Sequence, residues 1–251
     1  MRHRQNRRLT TDQIVTRVLG VVGELLITLG VIVLFFLAWQ LWINNAIVTN
    51  EQTTMTKELQ EEWQTETPTT STPDNTDYGV APAFAGVGEG TKFATIYIPR
   101  LGANSGRVAA NSVDLPSVLN HGYYGHYPQS QWPGQAGNFA VAIHRTNWGS
   151  PFGDSNKLES GDKIYVETKD GYYTYVFRNY EYVLPTTVSV ILPTPGKNTV
   201  TKDQSLITIT TCNPLLGDAE RLIVYGVLDS WRPRSAGPPS AIALEASGKV
   251  S

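Results

Sequence analysis

The segment from Val18 to Ile43 is 26 residues long and apolar except for Glu24, Thr28 and Gln40. At ~1.5 Å rise per residue, a helix of this length crosses a ~30 Å hydrocarbon layer with some tilt. Arg2, Arg4, Arg7, Arg8 and Arg17 precede it against Asp12, a bias that places the N-terminus in the cytoplasm. Trp39 and Trp42 stand at the far end, where indoles favour the boundary between lipid and water. A cleaved signal peptide fits poorly, because the apolar region is too long and Ile43-Asn44-Asn45-Ala46 offers no small-x-small cleavage site. Glu24 lies six residues into the span, close enough to the cytoplasmic end to reach the interface or to stay protonated. The expectation is a single-pass anchor in the cell membrane, with 1–17 a basic cytoplasmic tail, 18–43 the span and the rest extracytoplasmic.

The chain beyond the span has room for one sizeable core. Of 251 residues, 41% are hydrophobic and 17% charged, and 22 Gly, 15 Pro and 12 Tyr suit a turn-rich β protein. A net charge of −2 gives no reason to expect a nucleic-acid partner. Residues 44–91 read as an extracytoplasmic linker. Glu51, Glu58, Glu61, Glu62 and Glu66 suit a short helix with Leu59 and Trp63 on one face. Thr67-Pro68-Thr69-Thr70-Ser71-Thr72-Pro73 is too polar and Pro-interrupted to bury anything. Residues 232–251, with Arg232-Pro233-Arg234 and Gly237-Pro238-Pro239, read as a disordered tail. No second span is expected after the first.

Between them, residues 92–231 carry short β-branched and aromatic runs broken by Gly, Pro and Asp. Phe93–Ile98, Arg107–Ala110, Phe139–Ile143, Asp162–Thr168, Tyr172–Arg178, Val188–Leu192, Leu206–Thr211 and Arg221–Leu228 are candidate strands. Lys169-Asp170-Gly171 joins two of them as a hairpin turn, and Leu115–Asn120 reads as a helical turn. About eight short strands with scant helix suggest a mainly β fold, a closed or nearly closed barrel.

The chemistry sits at strand ends. Cys212, the only cysteine, closes the run Leu206–Thr211, and Asn213-Pro214 breaks the strand after it. One cysteine cannot form an internal disulfide, so outside the cytoplasm it is a free thiol. His144 comes directly after Phe139–Ile143, and Arg221 opens the next apolar run. A thiol, a proton shuttle and a planar cation for an oxyanion are the parts that thiol-based acyl transfer needs. A free thiol is only a few per cent ionised at neutral pH. His144 would therefore act either as an imidazolium beside a thiolate or as a neutral base, and the sequence leaves both open. His121, His126 and His144 make an unpersuasive zinc set, since no tight pair spacing and no carboxylate or second Cys joins them. No metal and no cofactor is expected.

Thr208-Ile209-Thr210-Thr211-Cys212 resembles the Thr-Leu-x-Thr-Cys signature of the sortases. Arg221 stands where that family keeps its arginine, and His144-Arg145-Thr146-Asn147 is similar to its histidine segment. The resemblance runs from about Lys92 to Trp231. With His121-Gly122-Tyr123-Tyr124-Gly125-His126-Tyr127-Pro128 and Gly137–Ala142 it is most like class E sortases of high-GC Gram-positive bacteria. It implies a β-barrel cysteine transpeptidase with Cys212, His144 and Arg221 catalytic. Cys212 would attack between Thr and Gly of a Leu-Ala/Pro-x-Thr-Gly signal on a secreted protein. A peptidoglycan-precursor amine would then take the acyl group, anchoring that protein in the cell wall. Tyr127, before Pro128, matches a tyrosine linked in class E to preferring Ala over Pro. Tyr123 and Tyr124 are alternatives for that position. Tyr127, Tyr124, Thr211 and Asn147 are the expected substrate-binding residues. Two other readings stay open. A pilus-polymerising sortase is disfavoured by Asp77-Tyr78, a faint match to the lid motif of such enzymes, and by the missing C-terminal span. The other is a tethered β-barrel adhesion module with an inert thiol.

Overall fold

The computed structural model describes residues 11–39, 44–63, 73–102, 104–149, 151–197, 199 and 204–247. The chain forms two units, residues 1–44 and 45–251. The first holds helix α1 (Thr11–Ala38), whose stretch Val15–Ala38 is long and apolar enough to cross a membrane. Leu25, Ile27, Leu34 and Phe35 on it are all exposed, as lipid-facing side chains require. The basic residues before Thr11 and residues 40–43 of the expected span lie outside the described residues.

The second unit is a closed eight-stranded barrel in the order β1-β2-β3-β4-β7-β8-β6-β5. Its strands are β1 (Lys92–Tyr97), β2 (Arg107–Ala110), β3 (Tyr124–His126), β4 (Gly137–Ala142), β5 (Lys163–Thr168), β6 (Gly171–Val183), β7 (Ser205–Asn213) and β8 (Glu220–Pro233). Ile96, Phe139, Val141, Ile164, Ile207, Ile209 and Val224 fill the interior and are fully buried. Neighbouring strands are antiparallel except β2–β3 and β4–β7. The parallel β4–β7 pair matters most, because it brings the C-terminal ends of both strands to one rim of the barrel.

Two strand assignments change. Val188–Leu192 is not a strand: Val188–Ile191 forms a 3-10 turn. Its apolar alternation comes from draping over the barrel, so that Val190 is 6% exposed and Val188 70%. The eighth strand is instead β3, inside a segment that reads as a loop. Three residues carry too little periodicity to be seen. β3 is held by non-local pairs, Ala109↔Tyr124 to β2 and Gly125↔Ala142 to β4. Gly125 is needed there: a Cβ would stand 2.5 Å from the Ser112 carbonyl oxygen.

Much of the expected linker and tail is packed. Helix α2 (Asn44–Trp63) lies against the barrel with Val48, Gln52, Leu59 and Gln60 buried. Leu59 clusters with Val108, Val118 and Tyr123. Gln52 accepts from the Val108 N–H at 3.2 Å and donates to the His121 carbonyl at 2.5 Å. Phe84, in the later part of the linker, enters the main core. Residues 232–247 are ordered on the same body. Arg232 pairs with Asp74 at 2.7 Å, and Ile242 and Ala246 pack with Tyr97, Tyr165 and Tyr172. The Pro and Gly residues that suggest disorder in this tail instead separate the end of β8 from short helical turns, Ser240–Ile242 and Ala243–Ala246, that carry the buried apolar pair.

Candidate active site

Cys212 is delivered by strand alternation. Ile207 and Ile209 point into the core, so Leu206, Thr208, Thr210 and Cys212 share the outer face of β7. His144 lies just past the end of β4, at the rim where β7 ends. Two bonds fix that junction: Ile143 N–H to Thr210 O at 3.0 Å, and Thr211 Oγ1 to Ile143 O at 2.7 Å. Cys212 and His144 line one cavity of about 250 Å³ with Arg145, Thr146, Asn147 and Leu216. β8 begins at the same rim because it runs antiparallel to β7, and its Arg221 is the cross-strand partner of Cys212. Arg221 lines a neighbouring cavity of about 90 Å³ with Tyr127, Thr210, Ile223 and, from the β6–β7 connection, Leu184, Pro185 and Val188.

The electrostatics are local. Burial pushes the His144 imidazole below its ordinary value of 6.5. Its Nε2 lies 3.0 Å from Asn120 Oδ1, so Nε2 carries the proton and Nδ1 keeps a free lone pair. Arg145 is 7% exposed and donates through Nη1 to the Asn213 side chain and, at 3.5 Å, to the Cys212 carbonyl. Arg221 donates through Nη1 to the carbonyls of Asp218 at 2.8 Å and Glu220 at 2.9 Å. This braces the fork and leaves Nε and Nη2 for another acceptor.

The structure therefore brings together Cys212, His144 and Arg221, with Asn147 in the thiol cavity and Tyr127 in the next. Asn147 has φ 62° and Trp148 φ 46°, a left-handed stretch that Trp rarely adopts. Two expected binding residues are elsewhere. Tyr124 is 1% exposed in the core against Phe152, closed to a peptide. Thr211 is 3% exposed and its hydroxyl is taken by Ile143 O, so it positions the strand carrying His144. His126 is also a core residue, bonded to Asn111, Ser130 and the Gln131 carbonyl, with its ring tilted against Trp132 at 4.3 Å. His121 is exposed and stacks on the buried Tyr123. Asn120 and Arg145 are the functional candidates that sequence reasoning missed. Arg145 was visible beside His144, whereas nothing in the chain marks Asn120, 24 positions from the imidazole it meets.

The sortase domain family model matches residues 96–229. Sortase SrtE1 of Streptomyces coelicolor is 34% identical over 227 residues, and the match covers 88% of this chain and 60% of that relative's length. Among solved structures, the SrtA sortase of Actinomyces oris aligns with a TM-score of 0.61 and 30% identity, over 66% of this chain and 94% of that one. Sortase E1 of S. coelicolor with a tripeptide in the active site aligns with a TM-score of 0.57 and 36% identity, over 61% and 97%. With the family match spanning the barrel from β1 to β8 and a cysteine and histidine sharing one rim cavity, the chain belongs to the sortase family of cysteine transpeptidases.

Proposed function

We propose that this protein is a membrane-anchored sortase of the class E type. It would cleave a Leu-Ala-x-Thr-Gly or Leu-Pro-x-Thr-Gly signal between Thr and Gly and pass the acyl group to a peptidoglycan-precursor amine. The observation that carries this reading is the shared cavity of Cys212 and His144 with Arg221 across the ladder. Neutral His144 takes the thiol proton as Sγ bonds to the threonyl carbonyl carbon. Arg221 Nε and Nη2 hold the oxygen as it gains charge. The imidazolium then gives its proton to the glycyl nitrogen, the C–N bond breaks, and a thioester remains on Cys212. The acceptor amine attacks that thioester, loses a proton to His144 and releases the thiol. Buried Arg145 braces the strand end behind the nucleophile through its bonds to the Cys212 carbonyl and the Asn213 side chain.

The tripeptide held in the active site of S. coelicolor sortase E1 supports a peptide substrate. Helix α1 supports a single-pass anchor, and the arginines that precede it in the sequence favour a cytoplasmic N-terminus. The pilus-polymerase reading gains nothing from the fold. Tyr78 lies near Arg232 and, with Asp74 and Tyr165, lines a hollow away from the cysteine cavity. To test the reading, the full-length protein in detergent is incubated with a Leu-Ala-x-Thr-Gly peptide and measured by intact mass spectrometry. A thioester adduct on Cys212, absent in Cys212→Ala and chased by an added amine, is expected. A native Cys212 that neither forms an adduct nor reacts with thiol reagents returns the protein to the adhesion reading.

A further inference from the structure

His144 takes its orientation from a turn that lies outside the barrel sheet. Asn120, whose Oδ1 accepts from His144 Nε2 at 3.0 Å, sits in the 3-10 turn Leu119–His121 between β2 and β3. Gly122 ends that turn at φ 73°. A Cβ there would stand 2.6 Å from the Trp148 carbonyl oxygen, so the turn rests directly on the loop that follows His144. An imidazole oriented by one hydrogen bond is only as well placed as the residue that accepts it. What holds the turn therefore matters to the chemistry.

Helix α2 holds it. Gln52 is 1% exposed and bridges two pieces of backbone. Its Oε1 accepts from the Val108 N–H of β2, and its Nε2 donates to the carbonyl of His121, the neighbour of Asn120. The turn is thus tied to the barrel wall through one side chain. Val48, also buried, lies four residues earlier on the same face of α2. Its Cγ1 would stand 3.2 Å from a Cβ added at Gly122 and 3.3 Å from one added at Gly149. Val48 therefore fills the angle between the turn and the His144 loop. Gln60, farther along the helix, bonds instead to Tyr97 of β1 and Glu167 of β5.

We infer that Gln52 and Val48 are positioning residues of the active centre, holding the Leu119–His121 turn so that Asn120 keeps the His144 ring in place. Both precede the stretch matched by the sortase domain family, so the catalytic unit extends into the helix that follows the apolar span in sequence. This rests on the catalytic role proposed for His144.

The test measures kcat and KM of the full-length protein in detergent on a Leu-Ala-x-Thr-Gly peptide. Gln52→Met removes both bonds with little change in volume and is expected to lower kcat about tenfold with KM nearly unchanged. Gln60→Met removes the same kind of bond about two turns along α2 and should leave kcat within about twofold of wild type. Asn120→Ala should cost on the order of 10²-fold in kcat. Adding Gln52→Met to it should cost nothing more, because residues that act through one contact are not additive. If circular dichroism shows Gln52→Met unfolded, Val48→Ala carries the same expectation at about threefold. Equal kcat for Gln60→Met and the Gln52 or Val48 variant overturns the inference, while an inactive His144→Ala leaves the catalytic reading intact. A loss confined to KM overturns it too, as does a double variant whose losses multiply. No turnover by wild type, or normal turnover by His144→Ala, removes the catalytic reading and this inference with it.

Discussion

His144 is the residue whose state decides how the site starts. Burial lowers its proton affinity, so at neutral pH the resting imidazole is a base, and the acid limb of kcat/KM should inflect below the ordinary 6.5 of histidine. A limb at or above pH ~7 would instead point to the imidazolium–thiolate pair as the resting form. Arg221 poses a different question. Its Nη1 bonds to Asp218 and Glu220 hold the guanidinium plane, and an ammonium cannot reproduce both that brace and a two-pronged oxyanion contact. Arg221→Lys should therefore lose roughly 10²–10³ in kcat on a folded barrel, read by single-turnover acylation; a near-normal rate would end the oxyanion role. Tyr127 bonds to Thr210 Oγ1 at 2.9 Å beside Arg221. In the signal, proline lacks the amide hydrogen that alanine has, so a hydroxyl beside the backbone can tell them apart. One such bond contributes about 0.5–1.5 kcal/mol. Tyr127→Phe should thus narrow the Ala-over-Pro ratio in kcat/KM by about 2- to 13-fold. Paired assays on the two peptides decide it, and an unchanged ratio would clear the hydroxyl of selectivity. Of the two sequence alternatives, Tyr124 is 1% exposed in the main core and Tyr123 is 7% exposed, packed with Leu59 and Val118.

At the scale of elements, α2 and the C-terminal segment are joined to the barrel by one polar chain. Gln60 Nε2 donates to Tyr97 OH at 2.8 Å, Tyr97 OH donates to Glu167 Oε2 at 2.6 Å, and Glu167 Oε1 pairs with Arg234 at 3.0 Å. Arg234 in turn lies over the Trp63 ring at 5.3 Å. Glu167 is fully buried, so deleting it leaves the mostly buried Arg234 guanidinium without its counter-charge, held only by the carbonyls of Lys169 and Thr168, a loss of about 3 kcal/mol. Glu167→Ala should show that drop in urea unfolding followed by tryptophan fluorescence, and Glu167→Gln, which keeps an acceptor for Tyr97, should fall between. An Ala variant within about 1 kcal/mol of wild type would mean that the network tolerates its own disruption. This network also shows why the sequence was legible in some places only. β1, β5, β6, β7 and β8 announce themselves by β-branched runs, and Cys212, His144 and Arg221 by their places at strand ends. α2 docks through Gln52 and Gln60 as well as Val48 and Leu59, and hydrophobic periodicity does not weigh the glutamines. β3 is made by partners far away in sequence, and Ile242 and Ala246 anchor a segment whose composition resembles disorder. Asn120 reaches His144 only through the fold.

At the scale of the whole molecule, the docking of α2 takes residues 44–63 out of any flexible tether and makes them part of the catalytic body. That body carries a buried group, His126, and a half-buried one, Glu245, whose titrations oppose each other. Burial pushes His126 down to about 4 from 6.5. The unfolded chain therefore takes that proton first, and the contribution of His126 is full above pH 6.5 and lost as pH falls to about 4. His144 acts in the same direction. Burial raises Glu245 from 4.5 to about 7, against the opposing effect of its bond from the Gly106 N–H. Its folded form takes the proton first, so its contribution is full below pH 4.5 and lost as pH rises through about 7. Asp74 and Asp162 are held below 3.8, so their loss lies at more acid pH and outside this window. Between pH 4.5 and 6.5 the histidines and Glu245 offset each other, and wild-type stability should change little. Glu245→Gln keeps an acceptor for the Gly106 N–H but removes the titration. At 1.36 kcal/mol per unit, discounted because Glu245 is partly exposed, its stability should fall by about 2 kcal/mol more than wild type as pH drops across that window. Urea midpoints of the full-length protein at several pH values measure the difference, and parallel curves for the two proteins would show that the Glu245 carboxyl does not supply the offset.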